Sequence, residues 1–428
     1  MSTVVDQAHV EDQVRQVVKI SRKPVWAMGV MAVIVLLLLT LRPTEGNTRF
    51  RFSAVGDWVQ IPNISTPGMP LAWICLAISV ALLGYAIFLL TRRRPTPMWL
   101  TAIFALLVVT AFLAWAGAGA SADFNVTRLV GGTVLLAVPL IFGALGGVMG
   151  ERAGVVNIAI EAQLLGGAFS AALISSLTDN PWLGLLAAMV AGVLVASLLV
   201  VFAINNRVEQ VIVGVVVNVL VIGLTSFMFG QVLTSDPARF NSSTRFSNIA
   251  IPVISEIPII GPALFRQSIL IYLMYLMVPL VWFVLFRTKW GLRVRAVGEH
   301  PKAADTMGIN VNGTRRQAVL IAGAVAGMGG AFYTVVSVSQ FTKEMTAGAG
   351  YIALAAVIFG KWHPLRAAAA ALLFGFASSL EQALSLAGAP VPSQFMLMLP
   401  YVVTLAAVAG LVGRSRAPAA TGVPYVKE

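Results

Sequence analysis

The chain has 428 residues, 58% of them hydrophobic and only 11% charged, and its mean hydropathy is +0.87. Soluble domains carry about 25% charged residues, so the composition excludes a soluble domain and points to an all-α, polytopic integral membrane helical bundle, with the lipid bilayer as its first partner. The formal charge of +12 lies in loops and tails rather than on a basic face, and no nucleic-acid partner is expected.

At the N-terminus, residues 4–18 place Val10, Val14, Val17 and Val18 at helical spacing. Such a segment suits either a helix lying on the membrane surface or a disordered tail. The first apolar run follows about 24 polar residues and has no small-residue cleavage pattern after it, unlike a signal peptide. A crossing of about 30 Å of hydrocarbon needs roughly 17–25 apolar residues. Runs of that kind occur near 25–41, 69–90, 98–118, 129–149, 157–177, 181–204, 211–233, 268–286, 316–340 and 394–411. Between the first two, residues 42–68 alternate apolar and polar positions, as an outer loop. The stretch 350–382 is less regular, and its first part, Tyr351 to Gly360, is too short to span alone. It suits a half-helix or re-entrant piece, tolerated where protein covers it. About 10–12 crossings are expected.

The orientation follows from Lys and Arg, which mark the cytoplasmic side. Arg92, Arg93 and Arg94 follow the second run. Arg287, Lys289, Arg293, Arg295, Lys302, Arg315 and Arg316 share one loop, and Arg414 and Arg416 follow the last run. With 351–360 counted as a crossing, all three clusters fall on one side, with both termini cytoplasmic, and the loop 234–267 faces out. The expected organisation is an N-terminal tail with extra membrane helices over 1–125, a core of membrane helices over 126–412 and a cytoplasmic tail over 413–428.

Several polar groups stand out against this apolar background. From Gly150 to Gln163 a helix is expected to end at Gly150, turn, and restart, with Asn157 and Glu161 on one helical face. A charged carboxylate near the membrane centre costs about 2.5–3.5 kcal/mol on insertion scales, so Glu161 faces protein or water. It serves either a polar route for a solute or a hydrogen bond that fixes the turn. Glu151 and Arg152 suit a helix end. Asn218, mid-span, either joins helices or lines a pore, and Thr225, Ser226 and Gln231 follow it. Tyr333, Thr334, Ser337 and Gln340 repeat at helical spacing and present an aromatic and hydroxyl face, suited to a ring with polar edges or to interhelical packing. The pairs Gly143/Gly147, Gly146/Gly150 and Gly323/Gly327 allow close helix contact.

The loop 291–308 is basic and has its own helix signals. Arg293, Arg295 and Gly298 lead to Pro301, which fits a first helical turn. Ala303, Ala304 and Met307 follow, and Gly308 can end the helix in a left-handed conformation. A short capped helix is not needed to connect two spans, so docking into a groove of another protein is the reading preferred over a plain connector. There is no Gly-rich phosphate loop ending in Lys-Ser/Thr; Gly360-Lys361 is followed by Trp362. Neither HExxH nor Gly-x-Ser-x-Gly occurs, and no chain of charged residues runs through the spans. The chain reads as a channel-forming subunit that borrows its energy, with no catalytic residues, no metal site and no cofactor: Cys75 is alone in an apolar run, and His9, His300 and His363 are far apart.

These residues carry a family resemblance. Gly150-Glu151-Arg152-Ala153-Gly154-Val155-Val156-Asn157-Ile158-Ala159-Ile160-Glu161 resembles the GERxGVxNIGxEG signature of permease subunits in nucleoside-type ABC importers, within the ribose and branched-chain amino acid permease superfamily. The loop 291–308 is similar to that family's GxxxRAVGexpxAAxxxGI loop, which contacts the ATPase. Residues 322–330 and 348–364 also resemble it, and the likeness covers roughly 126–412. Ala159 and Ala162 stand where glycines are usual, and Gln163 where the subfamily often has Met. The resemblance implies an importer permease with three partners: a cytoplasmic ATP-binding subunit, a second homologous permease and an extracellular substrate-binding lipoprotein. The candidate residues of a solute route, read from the polar groups of the spans, are Asn157, Glu161, Gln163, Asn218, Tyr333, Ser337 and Gln340. Sugars or branched-chain amino acids are the alternative solutes, and a stand-alone secondary transporter the alternative class.

Overall fold

The computed structural model of the chain describes residues 22–53, 58–120, 123–388 and 416–427, together with 394, 398 and 401. Among these, ten helices are long and apolar enough to cross a membrane. The chain divides into two units, one of residues 1–48 and 65–121, the other of 49–64 and 122–428.

The first unit holds α1 (Lys23–Leu41), α2 (Gly68–Thr91) and α3 (Met98–Gly117). Each is apolar on all sides, as expected for helices with lipid on one flank and protein on the other. Leu100, Phe104, Val108 and Ala111 turn α3 inward, whereas Ile34, Leu37, Ile74 and Ile78 are exposed. Polar side chains close the helix ends: the Trp115 indole donates to the Arg42 carbonyl at 2.8 Å, and the Thr48 hydroxyl to that of Ala114 at 2.6 Å. A cavity of about 630 Å³ lies between α1 and α2 and is lined by apolar residues and Gly29. Its only polar side-chain group is the Trp26 indole N–H, so it suits hydrocarbon rather than a polar solute.

The loop expected over 42–68 contains β1 (Asn47–Arg51), whose exposed and buried positions alternate, and β2 (Ile64–Pro67), which runs into α2. In the second unit, β3 (Phe124–Asn125) pairs in parallel with the end of β1, Phe50 opposite Phe124 and Arg51 opposite Asn125. Asn125 then caps α4 (Val126–Arg152) by accepting from the Arg128 amide at 2.8 Å, the usual N-cap arrangement. After it come α5 (Ile160–Thr178), α6 (Pro181–Leu199) and α7 (Gln210–Met228), the last two ending in wider π-turns at 200–205 and 229–233. The loop 234–267 holds α8 (Pro237–Phe240), β4 (Asn248–Ala250) and α9 (Ile260–Leu264). It ends in β5 (Arg266–Ser268), antiparallel to β4 with Ile249 opposite Gln267. Then follow α10 (Ile269–Arg287), α11 (Lys289–Glu299), α12 (Pro301–Thr306), α13 (Val311–Phe332, continued by a π-turn to Ser337), α14 (Ala349–Phe359) and α15 (Pro364–Ala387).

α4 lies at the centre of this unit, packed by α13, α14, α15 and α10. Small residues set the spacing, as in membranes generally. A Cβ at Gly143 would stand 2.9 Å from that of Ala353, and one at Gly147 2.8 Å from Val357, so α14 lies directly on α4. Gly323 and Gly327 meet Gly192 and Ala188 backbone to backbone, joining α13 to α6. Gly146 faces the Ala322 carbonyl, whereas Gly150 packs only within its own turn.

The irregular stretch 350–382 resolves into two parts. α14 has 11 residues, about 16 Å at 1.5 Å per residue, and is too short to cross. α15, with 24 residues, is a full-length span. Of the expected run at 394–411 only residues 394, 398 and 401 are described, and the N-terminal segment 4–18 lies outside the described residues.

Candidate functional site

The site is built around the turn between α4 and α5. α4 does not stop at Gly150 but continues to Arg152, and α5 begins only at Ile160. The Gly150 carbonyl accepts from the amides of Ala153 and Val155, both at 3.1 Å, and Gly154 takes φ +85°. Asn157 therefore sits in the turn and not on a helical face with Glu161, which corrects the periodicity argument. The turn is nevertheless what carries its contacts. The Asn157 and Gln163 amides pair with each other at 3.1 and 3.4 Å. The Gln210 side chain accepts from the Val156 amide at 2.7 Å. Asn218 of α7 bridges three groups: it accepts from the Ala162 amide at 3.0 Å, and donates to the Ile158 carbonyl at 3.0 Å and to the Tyr351 hydroxyl at 3.1 Å. Asn157, Gln163 and Asn218 are fully or almost fully buried.

Glu161 lies in the first turn of α5, 5% exposed. One carboxylate oxygen accepts from the Thr346 hydroxyl at 2.6 Å and the Gly348 amide at 2.9 Å. The other accepts from the Gly350 amide at 2.6 Å. The first amides of any helix lack internal partners, and helix N-termini attract negative charge. Glu161 meets both needs for the half-helix α14, and Gly350 allows it: a Cβ there would run into the Glu161 backbone amide. Of the two roles open for Glu161, the hydrogen bond to a neighbouring helix is present. The same carboxylate also lines a cavity of about 180 Å³ with Leu165, Ile222, Glu344, Thr346, Ala347, Gly348 and Tyr351. That is below the roughly 300–1,000 Å³ of typical small-molecule sites.

The other expected route residues are not gathered here. Tyr333 is half-buried and packs against both core clusters of the unit. Thr334, beside it, is buried and donates to the Ala168 carbonyl at 3.1 Å. The helix ends at Ser337, so Gln340 does not continue its face. Ser337 and Gln340 are exposed, in a segment that meets the loop 234–267 through Ser243 and Phe246, whose amides donate to Ser339 and Val335.

At this same C-terminal end of α4, Glu151 is buried and accepts the Trp362 indole N–H, while Arg152 Nε donates to the Trp362 carbonyl at 2.8 Å. Arg152 and Arg295 both lie over the Phe286 ring, at 5.6 and 5.0 Å, and His363 packs on it at 5.0 Å. Burial, with Arg366 and Arg152 close by, holds the His363 imidazole below the ordinary histidine range.

The loop 288–310 carries two helices rather than one. Thr288 caps α11, accepting from the Gly291 amide at 3.1 Å, and Pro301 opens α12. Gly308 follows with φ +79° and open space around it. Gly298 lies against the turn after α4: a Cβ there would strike the Arg152 carbonyl. Ala304 corrects the picture of a docking face. It is only 4% exposed, packed with Val297, Val311 and Tyr425 of this same chain. The outward face is formed by Leu292, Arg293, Ala303 and Met307, the last 81% exposed.

Thr346, Gly348, Gly350, Gln210 and Trp362 were not singled out from the sequence as contacts of this node. Their only signal was membership of the stretch 348–364 for three of them. What they hold together is a broken helix inside a membrane bundle, the arrangement transporters use near a solute path.

Residues 129–408 match the family model described as branched-chain amino acid transport system / permease component, which leaves α1–α3 outside it. The chain is 43% identical over 308 residues to the guanosine ABC transporter permease protein NupQ of Bacillus subtilis, covering 70% of this chain and 96% of that one. It is 38% identical over 312 residues to the nucleoside ABC transporter permease protein NupC of Lactococcus lactis, with the same coverage. The putative glucose ABC transporter permease protein TsgC13 of Haloferax volcanii is 36% identical over 309 residues, 67% of this chain and 92% of its own. No solved structure matches. With two thirds of its length matched by the family model, and its α4–α5 signature turn forming the polar centre of the bundle, the chain belongs to the permease family of the branched-chain amino acid transport system type.

Proposed function

We propose that this chain is the membrane permease subunit of an ATP-driven importer of nucleosides, working with a cytoplasmic ATP-binding subunit, a second homologous permease and a substrate-binding lipoprotein. The observation that carries the reading is the discontinuous span α14, with its N-terminus held at a buried polar node by Glu161 and Tyr351 beside it. Interrupted helices are where transporters place solute contacts, and the cavity residues Tyr351, Thr346 and Glu344 offer donors and acceptors that suit a hydrogen-bonding, uncharged ring with polar edges. The relatives named for guanosine and nucleosides favour that solute over sugars. The exposed face of α11 and α12, with Arg293, Ala303 and Met307, is the surface for the ATP-binding subunit. The basic loops support a cytoplasmic side for that face and for both termini.

The chain carries no phosphate-binding loop of its own, so hydrolysis belongs to the partner. The test is uptake of tritiated guanosine into proteoliposomes holding the four-component complex. ATP-dependent uptake, competed by other nucleosides and unaffected by excess glucose, is the expected result. Uptake competed by glucose and not by nucleosides overturns the substrate class; uptake without the ATP-binding subunit overturns the importer class.

A further inference from the structure

The C-terminal segment 416–427 grips three parts of the second unit at once. It holds α11 through the Ala420 amide, which donates to the Gly298 carbonyl at 2.9 Å, and the Ala419 amide, which donates to Glu299 at 3.2 Å. It holds the turn after α4 through the Gly422 amide, which donates to the Gly154 carbonyl at 3.3 Å. It holds α12 and the start of α13 through Tyr425, buried among Val297, Ala304 and Val311, and through Lys427, 3.9 Å from Asp305.

Arg315 completes the junction. Its side chain is 1% exposed, yet no carboxylate among the described residues stands against it. Nε donates to the Ala153 carbonyl of the turn at 3.1 Å, and Nη1 to the Val423 carbonyl of the tail at 2.9 Å. A buried cation is costly unless its donors are used, and the tail uses one of them. The fit is close: a Cβ at Gly154 would stand 2.9 Å from Arg315 Nη2 and 3.1 Å from the Ala420 carbonyl. Some of these partners lie far apart in the sequence, Val423 being 108 residues beyond Arg315.

We propose that residues 416–427 form a strap that makes α11, α12 and the α4–α5 turn one moving part. Displacement of the loop helices is thereby delivered to the turn carrying Asn157, and on through Gln163 and Glu161 to the half-helix α14. Arg315 is the positioning residue that ties strap, turn and α13 together. The proposal rests on the reading of the chain as an ATP-driven permease only for its functional consequence; the mechanical link is a property of this chain alone.

Two measurements test it separately. Hydrogen–deuterium exchange on the full-length purified chain compares wild type with Tyr425→Ala, which removes the strap's apolar anchor and leaves every route residue in place. Exchange at 150–159 and at 289–306 should rise together, by about tenfold for amides whose contact is lost. Faster exchange at 289–306 with unchanged exchange at 150–159 overturns the link. In proteoliposomes of the complete complex, a chain ending at Ser415 should retain the ATP-binding subunit and its hydrolysis, while guanosine taken up per ATP falls about tenfold or more. A peptide of residues 416–428 should restore part of it. Wild-type solute-to-ATP ratios in the truncated complex overturn the strap's role in coupling. Should truncation prevent assembly, Tyr425→Ala gives the same ratio in its place, and a wild-type value there is equally decisive. Absence of guanosine uptake by the wild-type complex counts against the functional reading, and leaves the exchange result to decide the link.

Discussion

Replacing Glu161 by Gln keeps the size of the side chain and removes one acceptor. The native carboxylate accepts three hydrogen bonds with two oxygens, from Thr346 and Gly348 on one and Gly350 on the other. An amide has a single acceptor oxygen. Turned toward Thr346 and Gly348, it presents its own N–H₂ to the Gly350 amide, so one buried donor faces another. Stranding a buried N–H costs about 1–3 kcal/mol, and exchanging charged for neutral acceptors on the remaining bonds about 1 kcal/mol more. A total near 3 kcal/mol shifts the equilibrium that holds α14 in place by about 150-fold. Glu151 is the control, because it is equally buried yet accepts a single bond, from the Trp362 indole. One amide oxygen can keep that bond, so Glu151→Gln should cost about 1 kcal/mol or less. Initial rates of guanosine uptake at matched membrane levels, with unfolding midpoints in nanodiscs, compare the two. Glu161→Gln should lose at least about tenfold more uptake than Glu151→Gln. Equal, near-normal uptake and equal midpoints in both variants would refute the claim that Glu161 holds the broken helix.

Ala303 and Ala304 should part company. Ala303→Glu on the exposed face should leave membrane levels normal and abolish co-purification of the ATP-binding subunit, whereas Ala304→Glu buries a charge against Val297, Val311 and Tyr425 and should lower membrane levels by destabilising the fold by several kcal/mol; pull-down and quantitative blotting separate them. His363 should make stability rise with pH on the acid side. Its folded imidazole is held below the ordinary value by burial and by Arg366 and Arg152, so below about pH 6.5 the unfolded chain takes up the proton first and stability falls as pH falls. His363→Gln should flatten that part of the profile in thermal melts. For orientation, Thr306→Cys in a Cys75→Ala background should resist a membrane-impermeant maleimide applied to intact cells and react after permeabilisation; labelling from outside would invert the topology.

What was legible in the sequence is what local chemistry repeats. Runs of about twenty apolar residues announce spans wherever they occur, because hydrocarbon leaves the backbone no partner but itself. Nine of the expected runs coincide with helices, and the interruption near Tyr351–Gly360 was visible because 11 residues cannot cross. Pro301 and Gly308 marked the ends of α12 because capping is set by a residue's own backbone. Only the tertiary structure decided what the polar residues do. A carboxylate such as Glu161 does not say which donors will reach it, and its partner Thr346 lies 185 residues away. Periodicity placed Asn157 on a helix because nothing local showed that α4 would run on to Arg152 and leave seven residues for a turn. Ala304 looked like a docking contact since small residues serve inner and outer faces alike, and only Tyr425, from the far end of the chain, shows which face is which. Hydropathy and capping are properties of neighbours in sequence; hydrogen-bond partnership and burial in a bundle are properties of neighbours in space, and those exist only once the helices have packed.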